Sequence, residues 1–186
     1  MAPRGLQMIG IALSCMASLT VGRQLWAATG AANIRVTASV GQKCKITSTE
    51  VNFGSYDPVA GNLSSPLNAA SPGSLVVTCT RNATGVTLAL NQGANGVGSS
   101  RRMRGAVSSS RYLNYQLYQP SAATPGAACA YTTVWGDGTF GTVLTPRGTP
   151  WGNTSTSMFN VCGQIPGAQE VEQGAYADVV TATVNF

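Results

Sequence analysis

The sequence predicts an all-β domain, a sandwich or barrel of short strands. Three observations carry that reading. Apolar residues alternate over short runs separated by Gly, Pro, Asn and Ser. No stretch sustains a 3.6-residue apolar period with helix caps. Charged residues make up only 9% of the chain, against 44% apolar, which disfavours helical bundles and disorder alike.

The elements follow in chain order. Residues 1–28 have the layout of a secretory signal peptide, with basic Arg4, an apolar run from Leu6 to Val21, and small residues at Ala27 and Ala28. The apolar run is short of the roughly 20 residues a membrane span needs, so cleavage after Ala27 or Ala28 is expected rather than anchoring. Cys15 fits a lipoprotein acceptor poorly, because Ala12-Leu13-Ser14 precedes it. Residues 29–41 form a lead in which Ile34, Val36, Ala38 and Val40 alternate with Arg35, Thr37, Ser39 and Gly41, the pattern of a half-buried strand. The domain proper is expected over 42–186.

Within it, Lys45–Phe53 is a strand candidate with Ile46, Val51 and Phe53 inward. Residues 54–72 read as loop. Strands are expected at Ser74–Thr80, along Val86, Leu88 and Leu90, and along Leu113, Tyr115 and Leu117. The intervening basic stretch, Arg101, Arg102 and Arg104 with nearby Arg111, reads as a solvated loop, with binding to an anionic polymer as its functional alternative. Residues 119–150 look irregular, with a turn at Trp135-Gly136-Asp137-Gly138. Strands are expected again at Ser157–Ile165 and Ala177–Phe186, the last placing Val180, Ala182, Val184 and Phe186 on one face.

Four cysteines follow the signal: Cys44, Cys79, Cys129 and Cys162. An even count in an exported chain points to disulfides. Three pairings are possible; Cys44–Cys79 with Cys129–Cys162 is preferred. Zinc ligation is disfavoured, since the chain has no histidine and no CxxC pair. The absence of histidine also removes a Ser-His-Asp triad. Asp137 and Asp57 read as turn residues, and Glu170 and Glu172 lie two apart, on one strand face or in a loop, with a paired-carboxylate glycosidase as their functional alternative. The expectation is a non-enzymatic protein with no catalytic residue, no cofactor, no metal and no specific nucleic-acid partner. The net charge of +5 is mild and identifies no partner.

Two features point to assembly. The last expected strand runs to the final residue, so nothing after it closes the sheet. The lead offers an alternating strand with no obvious place in the domain. A strand in surplus at one end and missing at the other suits a head-to-tail polymer. Both segments could equally be ordinary strands of one closed domain.

Several separated motifs add to this: Val51-Asn52-Phe53-Gly54-Ser55-Tyr56-Asp57, Val77-Thr78-Cys79-Thr80, Leu88-Ala89-Leu90-Asn91, Arg102-Met103, Leu113-Asn114-Tyr115-Gln116-Leu117-Tyr118, Trp135-Gly136-Asp137-Gly138, Gly163-Gln164-Ile165-Pro166-Gly167-Ala168-Gln169, Gly174-Ala175-Tyr176-Ala177-Asp178 and the terminal Val180–Phe186. In order and spacing the chain resembles the spore coat protein U domain family, which includes subunits of archaic, Csu-type chaperone–usher pili. The resemblance spans 34–186. It implies an incomplete immunoglobulin-like β-sandwich completed by donor-strand exchange. It implies a periplasmic chaperone, an outer-membrane usher and neighbouring pilus subunits as partners. It further implies export through the periplasm to an extracellular pilus, with roles in adhesion and biofilm formation. On that footing Ile34, Val36, Ala38 and Val40 are the expected donor strand. Val180, Ala182, Val184 and Phe186 are expected at the acceptor groove and chaperone-binding strand. Cys44 and Cys79 sit at the family's usual disulfide positions, whereas Cys129 and Cys162 are paired by parity. The length left after the signal favours a shaft or adaptor subunit over a tip adhesin. The alternative is a self-contained secreted spore-coat or surface-binding protein.

Overall fold

The computed structural model describes residues 29–152 and 154–186; the expected signal segment, 1–28, lies outside them. Among the described residues there are ten strands and no helix. These are β1 (Cys44–Thr49), β2 (Leu67–Asn68), β3 (Gly73–Cys79), β4 (Thr87–Leu90) and β5 (Arg101–Gly105). They continue with β6 (Tyr112–Pro120), β7 (Cys129–Val134), β8 (Ser157–Ile165), β9 (Tyr176–Ala177) and β10 (Ala182–Asn185). The chain divides into two units, 1–39 and 40–186.

In the first unit, residues 29–39 form no strand, and Ile34 and Val36 are each 88% exposed. The expected strand at 34–40 is therefore not formed here. A strand is held by its ladder partner, and alternation alone supplies none.

All the pairings between these strands are antiparallel, and one isolated bridge, Trp135 to Thr142, is parallel. The larger sheet runs β1-β3-β8-β6-β5-β9, with β2 on β8 and β7 on β6; the smaller pairs β10 with β4. β3 and β8 are adjacent interior strands of the larger sheet, and most of their residues are buried. Their register sets Leu75 opposite Phe159, and both side chains are buried. Leu88 and Leu90 of β4 close the core from the smaller sheet. Trp135 is fully buried and donates from Nε1 to the Leu88 carbonyl at 2.9 Å.

Four expectations need correction. The basic stretch is strand β5, and Arg101 is fully buried rather than solvated. The span 119–150 contains β7, whose half-exposed, Thr-rich sequence gives little periodic signal. The single C-terminal strand is two: β9 bonds to β5 and β10 to β4, because the chain passes from one sheet to the other between them. The first domain strand ends at Thr49, after which Asn52 alone bridges to Ser71.

Both disulfides are formed. Cys44–Cys79 joins directly opposed residues of β1 and β3, and Cys129–Cys162 ties β7 to β8. The second spans 33 residues. Replacing Cys129 and Cys162 together with serine is expected to lower stability by about 3–4 kcal/mol through the freed unfolded chain. Urea unfolding under non-reducing conditions measures this.

Candidate functional site

The site is an open groove of about 1210 Å³ in the second unit. Its floor is apolar, with Leu75, Leu90, Leu113, Leu117, Val161 and Ile165 contributed by both sheets. One bank is the chain leaving β1, Ser48–Tyr56; the other is Val171–Val180 with Ala182.

Each bank is held by a local device. Val51 and Phe53 turn inward onto the core while Glu50 and Asn52 face outward. Asn52 exchanges both backbone hydrogen bonds with Ser71, at 3.0 Å each. Antiparallel geometry then aims the backbone groups of Val51 and Phe53 the other way, toward the groove. This bank can cross β8 only because residue 163 is glycine: a Cβ there would meet Phe53 Cζ at 2.7 Å and collide with Val51.

On the second bank one edge is bonded along its length. Arg104 and Gly105 pair with β9, the amides of Asn91 and Ala94 donate to the carbonyls of Thr181 and Val179, and β4 pairs with β10. β1, β9 and β10 are each terminal in their sheet order. The groove thus lies between two strand edges whose outer ladder positions are open among the described residues. Such edges are templates for pairing with another chain.

The charge of the lining is one-sided. Glu50, Glu172 and Asp178 line the groove, and no Lys or Arg does among the described residues. Asp178 is engaged: Tyr115 Oη donates to it at 2.8 Å, and Asn95 donates from Nδ2 at 2.9 Å and from its amide at 3.2 Å. Gly93, at φ +91°, leaves the room that this carboxylate occupies. Burial, then the bond to Asp178, pushes the Tyr115 hydroxyl far up, so it stays a donor at any physiological pH. Glu172 is paired with Arg111 at 2.7 Å on the surface.

The expected site residues are distributed as follows. Val180 and Ala182 line the groove. Val184 packs against the core beside them, and Phe186 is 51% exposed. The expected donor residues Ile34, Val36 and Val40 are exposed. Asp137 is a turn acceptor, taking hydrogen bonds from Thr139 N, Thr139 Oγ1 and Phe140 N, which lower its pKa. Asp57 does the same for the amides of Val59, Ala60 and Gly61. The basic cluster divides: Arg101 is buried, Arg102 stacks on Tyr112 at 4.1 Å, and Arg111 holds Glu172. Sequence reasoning missed the floor as a unit and the 171–178 bank. The inward alternation of Val51 and Phe53 was the one local signal of the first bank.

A family model described as the Spore Coat Protein U domain matches residues 30–183. Protein U of Myxococcus xanthus is 36% identical over 186 residues, covering 94% of this chain and 95% of that protein. Among solved structures, the chain is similar to one from the CsuC-CsuE chaperone–tip adhesion subunit pre-assembly complex of the archaic chaperone-usher Csu pili of Acinetobacter baumannii. That match has a TM-score of 0.52 and 21% identity, over 80% of this chain and 41% of the matched chain. The E. coli Hda pilus minor tip subunit, HdaB, aligns with a TM-score of 0.38 and 14% identity, over 77% of this chain and 83% of that one. The all-β architecture and the first of these structures give an immunoglobulin-like sandwich.

Proposed function

Because the chain belongs to the Spore Coat Protein U domain family, we propose that it is a structural subunit of a secreted bacterial surface fibre of the chaperone–usher type. In this reading the 29–41 segment of one copy enters the groove of the next. A head-to-tail contact of this kind does not close on itself and so extends into a filament. The observation that carries the reading is the groove: an apolar floor flanked by two open strand edges. A donated strand satisfies the edges through main-chain hydrogen bonds and fills the floor with alternate side chains. Ile34, Val36, Ala38 and Val40 supply that alternation. Supporting it, the structurally similar Acinetobacter chain comes from a chaperone–subunit pre-assembly complex.

Export by residues 1–28 brings the subunit to the periplasm. A chaperone there covers the groove with a strand of its own, and an outer-membrane usher passes the subunit into an extracellular pilus. The fibre serves adhesion and biofilm formation. The subunit performs no catalysis: Asp57 and Asp137 are engaged as turn acceptors, and Glu172 in an ion pair.

The test is expression of the full chain in the periplasm, with and without a coexpressed chaperone of this class, followed by purification and electron microscopy. The expected result is a soluble one-to-one complex with the chaperone, and aggregation or fibres without it. A stable monodisperse monomer in the absence of chaperone would instead show a self-contained coat or surface-binding protein.

A further inference from the structure

The groove and the 29–41 lead are complementary in charge. The lead carries a single charged residue, Arg35. It falls on the face opposite Ile34, Val36, Ala38 and Val40, so in a seated strand it points outward, toward the rim. The lining is wholly acidic in its charged residues. Two of its three carboxylates are already engaged, Asp178 by Tyr115 and Asn95 and Glu172 by Arg111. Glu50 has no ion pair among the described residues, is exposed, and points outward because its neighbours Val51 and Phe53 point in. A strand laid along that bank would bring its outward residues beside Glu50 on the same face of the sheet.

We propose that Arg35 of one copy pairs with Glu50 of the next, and that this cross-strand pair sets the register of the seated strand. The proposal rests on the donor-strand reading above. Register needs such a pin. A two-residue slip keeps the same face inward, and Val36, Ala38 and Val40 differ little in size, so packing in the middle of the strand discriminates registers weakly. A slip moves Arg35 about 7 Å along the bank, from a directly opposed to a diagonal position, where its pairing with Glu50 is weaker.

The test uses the mature full-length chain, with assembly rate followed by light scattering at low and high salt. Arg35→Glu and Glu50→Arg are each expected to slow assembly about fivefold at low salt. The combined swap, which restores an opposite-charge pair at every junction, should return the rate to within about twofold of the parent. High salt should compress these differences. Free-thiol titration checks that each variant closes both disulfides. Val36→Asp, on the inward face, separates the two levels of the argument. If it assembles normally, the donor-strand reading fails and the pair falls with it. If it stops assembly while the single charge variants assemble at the parental rate, the Arg35–Glu50 pair alone is overturned. Rescue of Arg35→Glu by Glu172→Arg rather than by Glu50→Arg would also overturn it.

Discussion

Deletion of residues 31–40 is expected to abolish fibre formation while leaving a folded subunit that still binds its chaperone. The reason is the division of labour between the two units. The core, both disulfides and the groove all belong to residues 40–186. The lead contributes no strand to them. In the donor-strand reading proposed above, what the deletion removes is the occupant of the neighbour's groove. Seating Ile34, Val36 and Val40 on an apolar floor is worth about 1.5–3 kcal/mol for each large side chain buried. Each main-chain hydrogen bond along the edges adds about 0.5–1.5 kcal/mol. Against this stands the ordering of an extended segment, at about 1–2 kcal/mol per residue. The balance is close enough that one poor side chain decides it. Val36→Asp alone would bury a carboxylate without a partner, at a cost of several kcal/mol. Negative-stain microscopy and sedimentation of the assembled fraction measure the outcome. Fibres from the deleted chain at parental yield would exclude the lead as donor.

Replacement of Arg101 by methionine is expected to destabilise the domain by about 3–5 kcal/mol, although Arg101 touches neither a carboxylate nor the groove. The guanidinium is fully buried and works as a hub of donors. Its Nη2 donates to the carbonyls of Asn91 at 2.7 Å, Trp135 at 2.8 Å and Leu90 at 3.2 Å. Nε donates to Asn91 O at 3.1 Å, and Nη1 to Gln116 Oε1 at 2.9 Å. Phe140 lies against the planar group at 4.8 Å. These acceptors come from the end of β4, from β6 and from the turn after β7, so one side chain joins both sheets. Burial lowers its pKa only to about 10, so it remains charged at neutral pH. Methionine fills much of the space and leaves three main-chain carbonyls without a donor. Lysine offers charge without the planar fork and should restore little. For a domain of this size the loss corresponds to roughly 6–20 °C in Tm. Urea unfolding followed by tryptophan fluorescence reads it, and an unchanged midpoint would show that the carbonyls find other donors.

Arg101 also marks where sequence reading fails and why. Four arginines within eleven positions look like a solvated basic loop, because arginine is rarely buried without a carboxylate. The carbonyls that receive Arg101 belong to residues 90, 91 and 135, and nothing near position 101 announces them. β7 was hidden for a different reason. It lies at the margin of the larger sheet, so Cys129–Val134 carries no apolar stripe. The split of the C-terminal strand was hidden too, since nothing in the residue pattern of 177–186 marks where the hydrogen-bonding partner changes from β5, paired as far as Ala177, to β4, paired from Ala182.

Where burial is one-sided or complete, local chemistry spoke clearly. Ser157–Ile165 occupies the span its apolar pattern indicates, and β3 begins and ends within one residue of expectation. The all-β class, the parity of the cysteines and the inward set Val51 and Phe53 were likewise determined by the sequence alone. These are properties of residue type and period, which each segment carries with it. Only the tertiary structure decided which strand edges stay open, which carboxylate on the groove is left without a partner, and where the buried arginine finds its acceptors. Each of those depends on segments tens of residues apart meeting in space, and a pairing between distant backbones leaves no mark on either stretch by itself.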